Sequence, residues 1–101
     1  MRPSRNNLLI RAFSAAIKSR RLALKLTQED LAGRIELDRP YITLLEAGTK
    51  QPTISVLWRI ASGLDLTVSE LAALVDKRLA ALLLAKRAPA ATKVTSRTKP
   101  S

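Results

Sequence analysis

The sequence contains neither cysteine nor histidine among its 101 residues. These absences exclude disulfide bonds, thiolate nucleophiles, histidine general bases and the usual ligands of a zinc ion. Aromatic residues make up only 3% of the chain, although hydrophobic residues make up 47%, so the core must be aliphatic. A phosphate-binding loop and a paired acidic site are missing as well. We therefore predict that the chain is not an enzyme and that it needs no metal and no cofactor.

Long apolar runs are also missing. The longest run, LAALLLA at residues 79–85, is far shorter than the ~20 residues that a helix needs to cross a membrane. The N-terminus lacks the uninterrupted apolar segment of a signal peptide. These features predict a cytoplasmic protein without a membrane partner.

Acidic residues are absent from both ends of the chain, so its net charge of +10 is unevenly distributed. Residues 1–26 and residues 77–101 each carry seven Lys or Arg and no acid, whereas residues 27–76 carry eight acids and four bases. A strongly basic chain favours a polyanionic partner, with nucleic acid preferred over membrane. The alternative from charge alone is a domain whose basic ends only keep it in solution.

Apolar residues recur at helical spacing in five segments, and no strand pattern is visible. The segments lie at about 7–24, at 28–35, at 39–47, after Thr53, and from Thr67 or Ser69 onwards, where the helix may extend to about residue 86. We predict an all-α, five-helix domain at residues 7–76, followed by a helical extension at 77–87. We predict that residues 1–6 form a disordered basic arm and that residues 88–101 form a disordered basic tail.

The stretch ELDRPYITLLEAG, residues 36–48, predicts a short helix with marked ends. Asp38 is a capping residue type, Pro40 is tolerated in a first turn, and Gly48 is a natural stop. Ile42 and Leu45 lie three positions apart and can share a buried face. A helix of this length is too short to be stable alone, so its role depends on its neighbours.

This short helix follows another one after a turn of only three residues. Two short helices joined in this way cross steeply and project the second outward, where it can enter the DNA major groove, about 12 Å wide. Thr27 and Asp30 predict a capping box at the start of the first helix. That helix start can face a phosphate, and the amide of Gln28 can reach backbone oxygens there.

The stretch LTQEDLAGRIELDRPYITLLEAGTKQP and its continuation ISVLWRIASGLDLTVSELAAL resemble the Cro/CI-type (Xre) helix-turn-helix repressors. That family includes phage repressors, restriction–modification controller proteins and some antitoxins. The resemblance covers residues 13–74 and implies a lambda-repressor-like fold. It also implies that the chain is a transcription regulator that binds double-stranded DNA at specific sequences.

The resemblance further implies roles for individual residues. The helix-turn-helix would begin at Gln28 and end at Ala47, and a buried ion pair would join Arg21 to Glu46. The family often has glycine where Lys25 and Glu36 stand, so a positive φ at these positions would strain the side chain. The implied contacts to DNA are made by Thr27, Gln28, Arg39, Pro40, Tyr41, Thr43, Leu44 and Lys50.

The fifth helix predicts a homodimer, because its apolar stripe is longer than a small domain needs and exposed stripes usually mark interfaces. The predicted interface residues are Leu71, Leu74, Val75, Leu79 and Leu82. A two-fold dimer would place two recognition helices about one DNA turn, roughly 34 Å, apart. The alternative is that this segment folds back onto its own core.

A second function is compatible with the same sequence. The chain could be an antitoxin-type interaction module that holds a toxin as protein partner and regulates its own operon. This alternative rests on the excess of acids in residues 27–76 and on the apolar segment after Val75. Co-purification with a stable partner would favour it over the DNA-binding regulator.

Overall fold

The structure, a computed structural model, describes residues 6–91, with side chains as far as residue 86. It contains five helices: α1 (Asn7–Ala23), α2 (Gln28–Ile35), α3 (Arg39–Ala47), α4 (Ile54–Gly63) and α5 (Val68–Ala91). No strand occurs in the described part of the chain. The predicted all-α architecture with five helices is confirmed.

Every helix begins at a side chain that caps it. In each case a side-chain oxygen accepts a hydrogen bond from the backbone N–H three residues further on, at 2.9–3.2 Å. The capping residues are Asn6, Thr27, Asp38, Thr53 and Thr67. Because such caps satisfy N–H groups that have no partner inside the helix, the start of each helix is encoded locally.

The core lies where the five helices meet, and it is aliphatic as predicted. α1 packs mainly along α5, while α2 contacts both α3 and α4. The largest fully buried side chains come from every helix or its cap: Ile17, Leu31, Ile42, Leu45, Ile60, Leu64 and Leu71. Burying one such side chain stabilises a fold by about 1.5–3 kcal/mol. Burial of Ile42 and Leu45 therefore holds α3, which is too short to persist alone.

Gly63 allows α4 to approach α2 closely. A Cβ atom at this position would overlap the γ2 methyl group of Ile35, and it would lie 3.2 Å from Cδ1 of Leu31. A larger residue would therefore push α2 away from α4. The absence of a side chain at Gly63 helps to determine where the first helix of the helix-turn-helix lies.

The predicted dimer stripe on α5 is wrong for two of its residues. Leu71 and Val75 are only 1% and 6% exposed and belong to the core of the single chain, so they are not available to a second copy. Leu74, Leu79 and Leu82 are partly buried against the same core. The physical reason is that α5 lies along α1, which supplies the apolar partner that the sequence alone does not show.

The helix α5 continues to Ala91, beyond the predicted end of the helical extension at residue 87. Residues 88–91 are helical rather than part of the predicted tail. Their three alanines favour a helix, whereas Pro89 does not. Asn6, predicted as the end of the arm, caps α1. The rest of the predicted arm and tail, residues 1–5 and 92–101, lies outside the described residues. Among the described residues, no helix is both long enough and apolar enough to span a membrane.

Candidate nucleic-acid interface

The turn between α2 and α3 determines the direction in which α3 leaves α2. Glu36 adopts the left-handed conformation, with φ 58° and ψ 42°. The N–H groups of Glu36 and Leu37 close α2 on the carbonyls of Gly33 and Ala32, at 3.4 and 3.0 Å. Asp38 follows at once and caps α3. Since hardly any residue is left unconstrained between the two helices, their relative orientation is fixed by local hydrogen bonds.

The helix α3 has one buried side and one exposed side. Ile42 and Leu45 are fully buried. The exposed residues are Arg39, Pro40, Thr43, Leu44 and Ala47. Among the described residues, the Arg39 guanidinium has no hydrogen-bond or ion-pair partner, so its donors are available to an external acceptor. An arginine in this position can bind the O6 and N7 atoms of guanine together.

Tyr41 and Lys50 lie against each other. The Lys50 ammonium group is 5.6 Å from the centre of the Tyr41 ring, which is within the range of a cation–π contact. Burial raises the pKa of the half-buried Tyr41 phenol. The structure thus brings two predicted DNA contacts together, one on α3 and one in the loop that follows it.

A buried ion pair joins α1 to α3. Arg21 Nε donates to Glu46 Oε2 at 2.7 Å, and Arg21 Nη2 donates to Glu46 Oε1 at 2.9 Å. The two side chains are only 7% and 3% exposed. Arg21 Nη1 also donates to the carbonyl of Leu26, and the hydrogen bond to Glu46 raises the pKa of Arg21. The structure places this pair where the family resemblance implied it.

Gln28 connects the ion pair to the exposed side of α3. Its Nε2 atom donates to Glu46 Oε1 at 3.0 Å, and its Oε1 atom accepts from the Thr43 hydroxyl at 2.8 Å. Gln28 is half buried, whereas Thr43 is exposed. A continuous hydrogen-bonded chain therefore runs from the interior of the domain to the surface of α3.

Thr27, another predicted DNA contact, is engaged in the cap of α2. Its hydroxyl accepts from the N–H of Asp30, and its own N–H donates to the Asp30 carboxylate, both at 2.9 Å. The hydrogen bond from the Thr27 backbone lowers the pKa of Asp30. Two N–H groups at this end of α2 are therefore already bonded within the protein, which increases the importance of the Gln28 amide for any phosphate contact.

Three arginines bind helix C-termini, a role that sequence reasoning missed. Arg20 and Arg34 each donate to a carbonyl at the end of α4 at 2.9 Å, and Arg59 donates to the last carbonyls of α2. Cations at the C-terminus of a helix interact favourably with its dipole. The partners lie 23 to 44 residues apart in the chain, so no local signal could have revealed these contacts.

Sequence reasoning also did not identify the exposed apolar pair on α4. Ile54 is 71% exposed and Trp58 is 57% exposed, and their spacing of four places them on one side of the helix. Ile60 and Ala61, on the same helix, are buried. The sequence of this helix does carry a signal, since its apolar residues lie on more than one side. One side packs on the core, and the other side therefore needs a second apolar partner.

The chain is similar to known proteins that contain a helix-turn-helix. A family model described as helix-turn-helix matches residues 17–71. The chain belongs to the helix-turn-helix family. Control protein C.MunI from a Mycoplasma species is 35% identical over 72 residues, which are 71% of this chain and 97% of C.MunI. The predicted resemblance to helix-turn-helix regulators that include restriction–modification controllers is confirmed.

Solved structures of the family show the same fold. The restriction–modification controller protein C.Esp1396I, solved as a tetramer with its 35-base-pair operator, is 35% identical. The match has a TM-score of 0.68 and covers 71% of this chain and 95% of that one. The controller C.AhdI from Aeromonas hydrophila is 31% identical, with a TM-score of 0.59 over 61% of this chain and 90% of its own. The predicted lambda-repressor-like, five-helix fold is thus confirmed.

Proposed function

We propose that the chain is a dimeric transcription regulator that binds a specific double-stranded DNA sequence with α3 in the major groove. The observation that carries this proposal is the exposed face of α3, with its unpaired Arg39, in a chain similar to a controller solved on its operator. α3 leaves the domain at an angle fixed by the turn at residues 36–38. A rigidly projecting helix of this size suits the width of the major groove.

The side chains around α3 divide into base contacts and phosphate contacts. Arg39 suits guanine, while Pro40 and Leu44 offer apolar contact to a thymine methyl group. Gln28 and Lys50 lie on neighbouring elements and suit phosphate oxygens. Phosphate contacts position a protein on DNA, whereas contacts to base edges choose the sequence. The groove-facing residues of α3 therefore carry the sequence preference: Arg39, Pro40, Thr43 and Leu44.

The dimer interface is best placed on α4 rather than on the predicted stripe of α5. Ile54 and Trp58 are exposed, whereas Leu71 and Val75 are buried within the single chain. A pair of large apolar side chains on one helix side is the kind of surface that a second copy covers. The similar controller C.Esp1396I is oligomeric on its operator, which supports a second copy of this chain as the occupant.

The basic ends of the chain would add affinity without sequence information. Residues 77–101 contain seven Lys or Arg and no acid. Each phosphate that a basic residue neutralises makes binding more sensitive to salt. The logarithm of the binding constant falls against the logarithm of the salt concentration with a slope of about −0.9 per contact. The ends therefore increase attraction to DNA in general, and α3 selects the site. Such a regulator would act in the cytoplasm.

The antitoxin alternative receives less support. It rested on the excess of acids in residues 27–76 and on an apolar segment after Val75. In that segment Leu79 and Leu82 pack against the core of the same chain, and of its leucines only Leu83 and Leu84 are exposed. The similar proteins named above are controllers, and one was solved with its operator. No observation on the described residues favours a toxin as partner over DNA.

Binding-site selection tests the proposal directly. The full-length protein is incubated with randomised duplexes at moderate salt, and bound DNA is sequenced after successive rounds. The expected result is an enriched sequence with two related half-sites whose centres lie about one turn, 10–10.5 base pairs, apart. Recovery of DNA without any enriched sequence would contradict specific readout.

A further inference from the structure

The hydrogen bonds between the ion pair and the surface of α3 form a chain in which every partner has a fixed polarity. Arginine can only donate, and an ionised carboxylate can only accept. Arg21 therefore donates to Glu46, whose Oε1 atom also lies 3.0 Å from the Gln28 side chain. Only the amide nitrogen of Gln28 can face this oxygen, because two acceptors would repel each other. Glu46 thus determines which way the Gln28 amide is turned.

The orientation of Gln28 in turn determines where the Thr43 proton points. With its nitrogen towards Glu46, Gln28 presents Oε1 to the Thr43 hydroxyl, at 2.8 Å. The backbone carbonyl of Arg39, at 3.1 Å, is a second acceptor for the same hydroxyl. A threonine hydroxyl carries one proton, and both neighbours within the domain accept it. Either arrangement keeps that proton inside the protein.

We infer that Thr43 presents only acceptor lone pairs to DNA and selects, at one operator position, a base whose major-groove edge donates there. The donors available in the major groove are the N6 amino group of adenine and the N4 amino group of cytosine. A threonine without such neighbours could either donate or accept, and so would choose no base by its polarity. Glu46 and Gln28 are positioning residues in this scheme, and Thr43 touches the base.

The same polarity assigns a complementary task to Gln28. One N–H of its amide is bonded to Glu46, and the second N–H remains a donor. It suits a phosphate oxygen, which can only accept. The outer surface of this chain therefore offers a donor to the DNA backbone and an acceptor to a base. The inference rests on the proposed function, since it requires α3 to lie in the major groove.

The test uses the selected operator and a matched set of variants of the full-length protein. Thr43→Val keeps the branched shape and removes the hydroxyl, while Thr43→Ser keeps the hydroxyl. Thr43→Ala is a second variant without the hydroxyl, and thermal unfolding verifies that each variant is folded. Repeating the selection with Thr43→Val identifies the operator position that Thr43 reads, since only that preference should be lost.

At that position, the donor is then removed from the DNA instead of the acceptor from the protein. Adenine is replaced by purine, which lacks the 6-amino group, or cytosine by its analogue without the 4-amino group. Wild type and Thr43→Ser should bind the altered operator roughly three- to tenfold more weakly, the equivalent of one hydrogen bond. Thr43→Val and Thr43→Ala should bind both operators equally. Where the base is adenine, 7-deazaadenine, which lacks the N7 acceptor but keeps the amino group, should leave the Thr43 contribution unchanged.

Two results would overturn the inference while leaving the proposed function intact. One is an enriched operator in which removal of the amino group weakens wild type and Thr43→Val equally. The other is an enriched operator in which Thr43→Val keeps every base preference of the wild type, which would show that the Thr43 hydroxyl reads no base. If no sequence is enriched at all, it is the proposed function that fails.

Discussion

At the scale of single residues, Arg21 and Arg39 show how surroundings assign different tasks to the same side chain. Arg21 is buried and bonded to Glu46 and to the carbonyl of Leu26. Arg39 is exposed and has no partner among the described residues. Both residues contribute one positive charge to the net charge. Of the two, only Arg39 can bind an external acceptor without loss of an internal contact.

The first prediction concerns base readout by Arg39. Arg39→Ala should reduce discrimination at one operator position by about 1–3 kcal/mol, because a bidentate contact to guanine is lost. Arg39→Lys is the matched control, since lysine keeps the charge but not the two parallel donors. Titrations of matched and single-base-changed operators measure the difference. A loss of affinity that is uniform across sequences for Arg39→Ala would make Arg39 a phosphate contact.

The second prediction concerns the buried ion pair. Glu46→Ala should lower the free energy of unfolding by about 3 kcal/mol, because Arg21 would remain buried without a counter-charge. Urea denaturation of the full-length protein measures this change. Glu29→Ala is the control, because Glu29 is exposed on α2, and it should change stability by less than about 0.5 kcal/mol. A change near zero for Glu46→Ala would show that water or another group satisfies Arg21.

At the scale of elements, the helix ends determine how α1 to α5 are arranged. α1, α2 and α4 are each followed by a non-glycine residue with positive φ: Lys25 at 62°, Glu36 at 58° and Asp65 at 59°. α3 ends instead at Gly48, with φ 79°. A left-handed conformation costs a residue with a Cβ atom roughly 1–2 kcal/mol. The chain therefore holds strained turns at three helix ends, and the packing of the helices stabilises them.

The third prediction follows from this strain. Glu36→Gly should raise the free energy of unfolding by about 1 kcal/mol, because glycine adopts positive φ without strain. Gly48→Ala is the opposite control, and it should lower stability by a similar amount. The new Cβ at position 48 would have ordinary contacts of 3.6 Å or more, so strain rather than crowding is tested. A decrease in stability for Glu36→Gly, measured by urea denaturation, would contradict the explanation.

At the scale of the whole molecule, apolar residues are divided between the core and a second surface. Most large apolar residues of α5 pack against α1 and the core, although Leu83 and Leu84 are exposed, and Ile54 and Trp58 on α4 are also uncovered. A monomer rarely leaves large neighbouring apolar side chains exposed without a function. Because of this distribution, we expect the dimer contact on α4 and not on α5, the helix that the sequence suggested.

The fourth prediction tests which helix carries the dimer. Trp58→Glu should shift the protein from dimer to monomer in analytical ultracentrifugation at micromolar concentration, because a charge would be placed in an apolar interface. Leu84→Glu, at an exposed leucine of α5, is the matched control and should leave the dimer intact. Trp58→Glu should also weaken binding to a two-site operator more than to a single half-site. Dissociation by Leu84→Glu alone would return the interface to α5.

The amino-acid sequence by itself determined those features that depend on neighbours in the chain. The helix starts follow from Thr27, Asp38, Thr53 and Thr67, because a cap acts only three residues away. The aliphatic composition predicted the nature of the core. The spacing of the two central helices predicted a helix-turn-helix motif, because that motif needs a short turn between two short helices. The resemblance of the residues in and around that motif to Cro/CI-type repressors predicted the family.

Only the tertiary structure decided which charged and apolar groups remain available. Arg20 and Arg34 are directed to the end of α4, and the stripe of α5 lies along α1, through contacts between segments far apart in the chain. The polarity of Thr43 likewise depends on Gln28, which lies 15 residues from Thr43 and 18 residues from its other partner, Glu46. Local patterns cannot encode such contacts, because they form only when the five helices pack around one core.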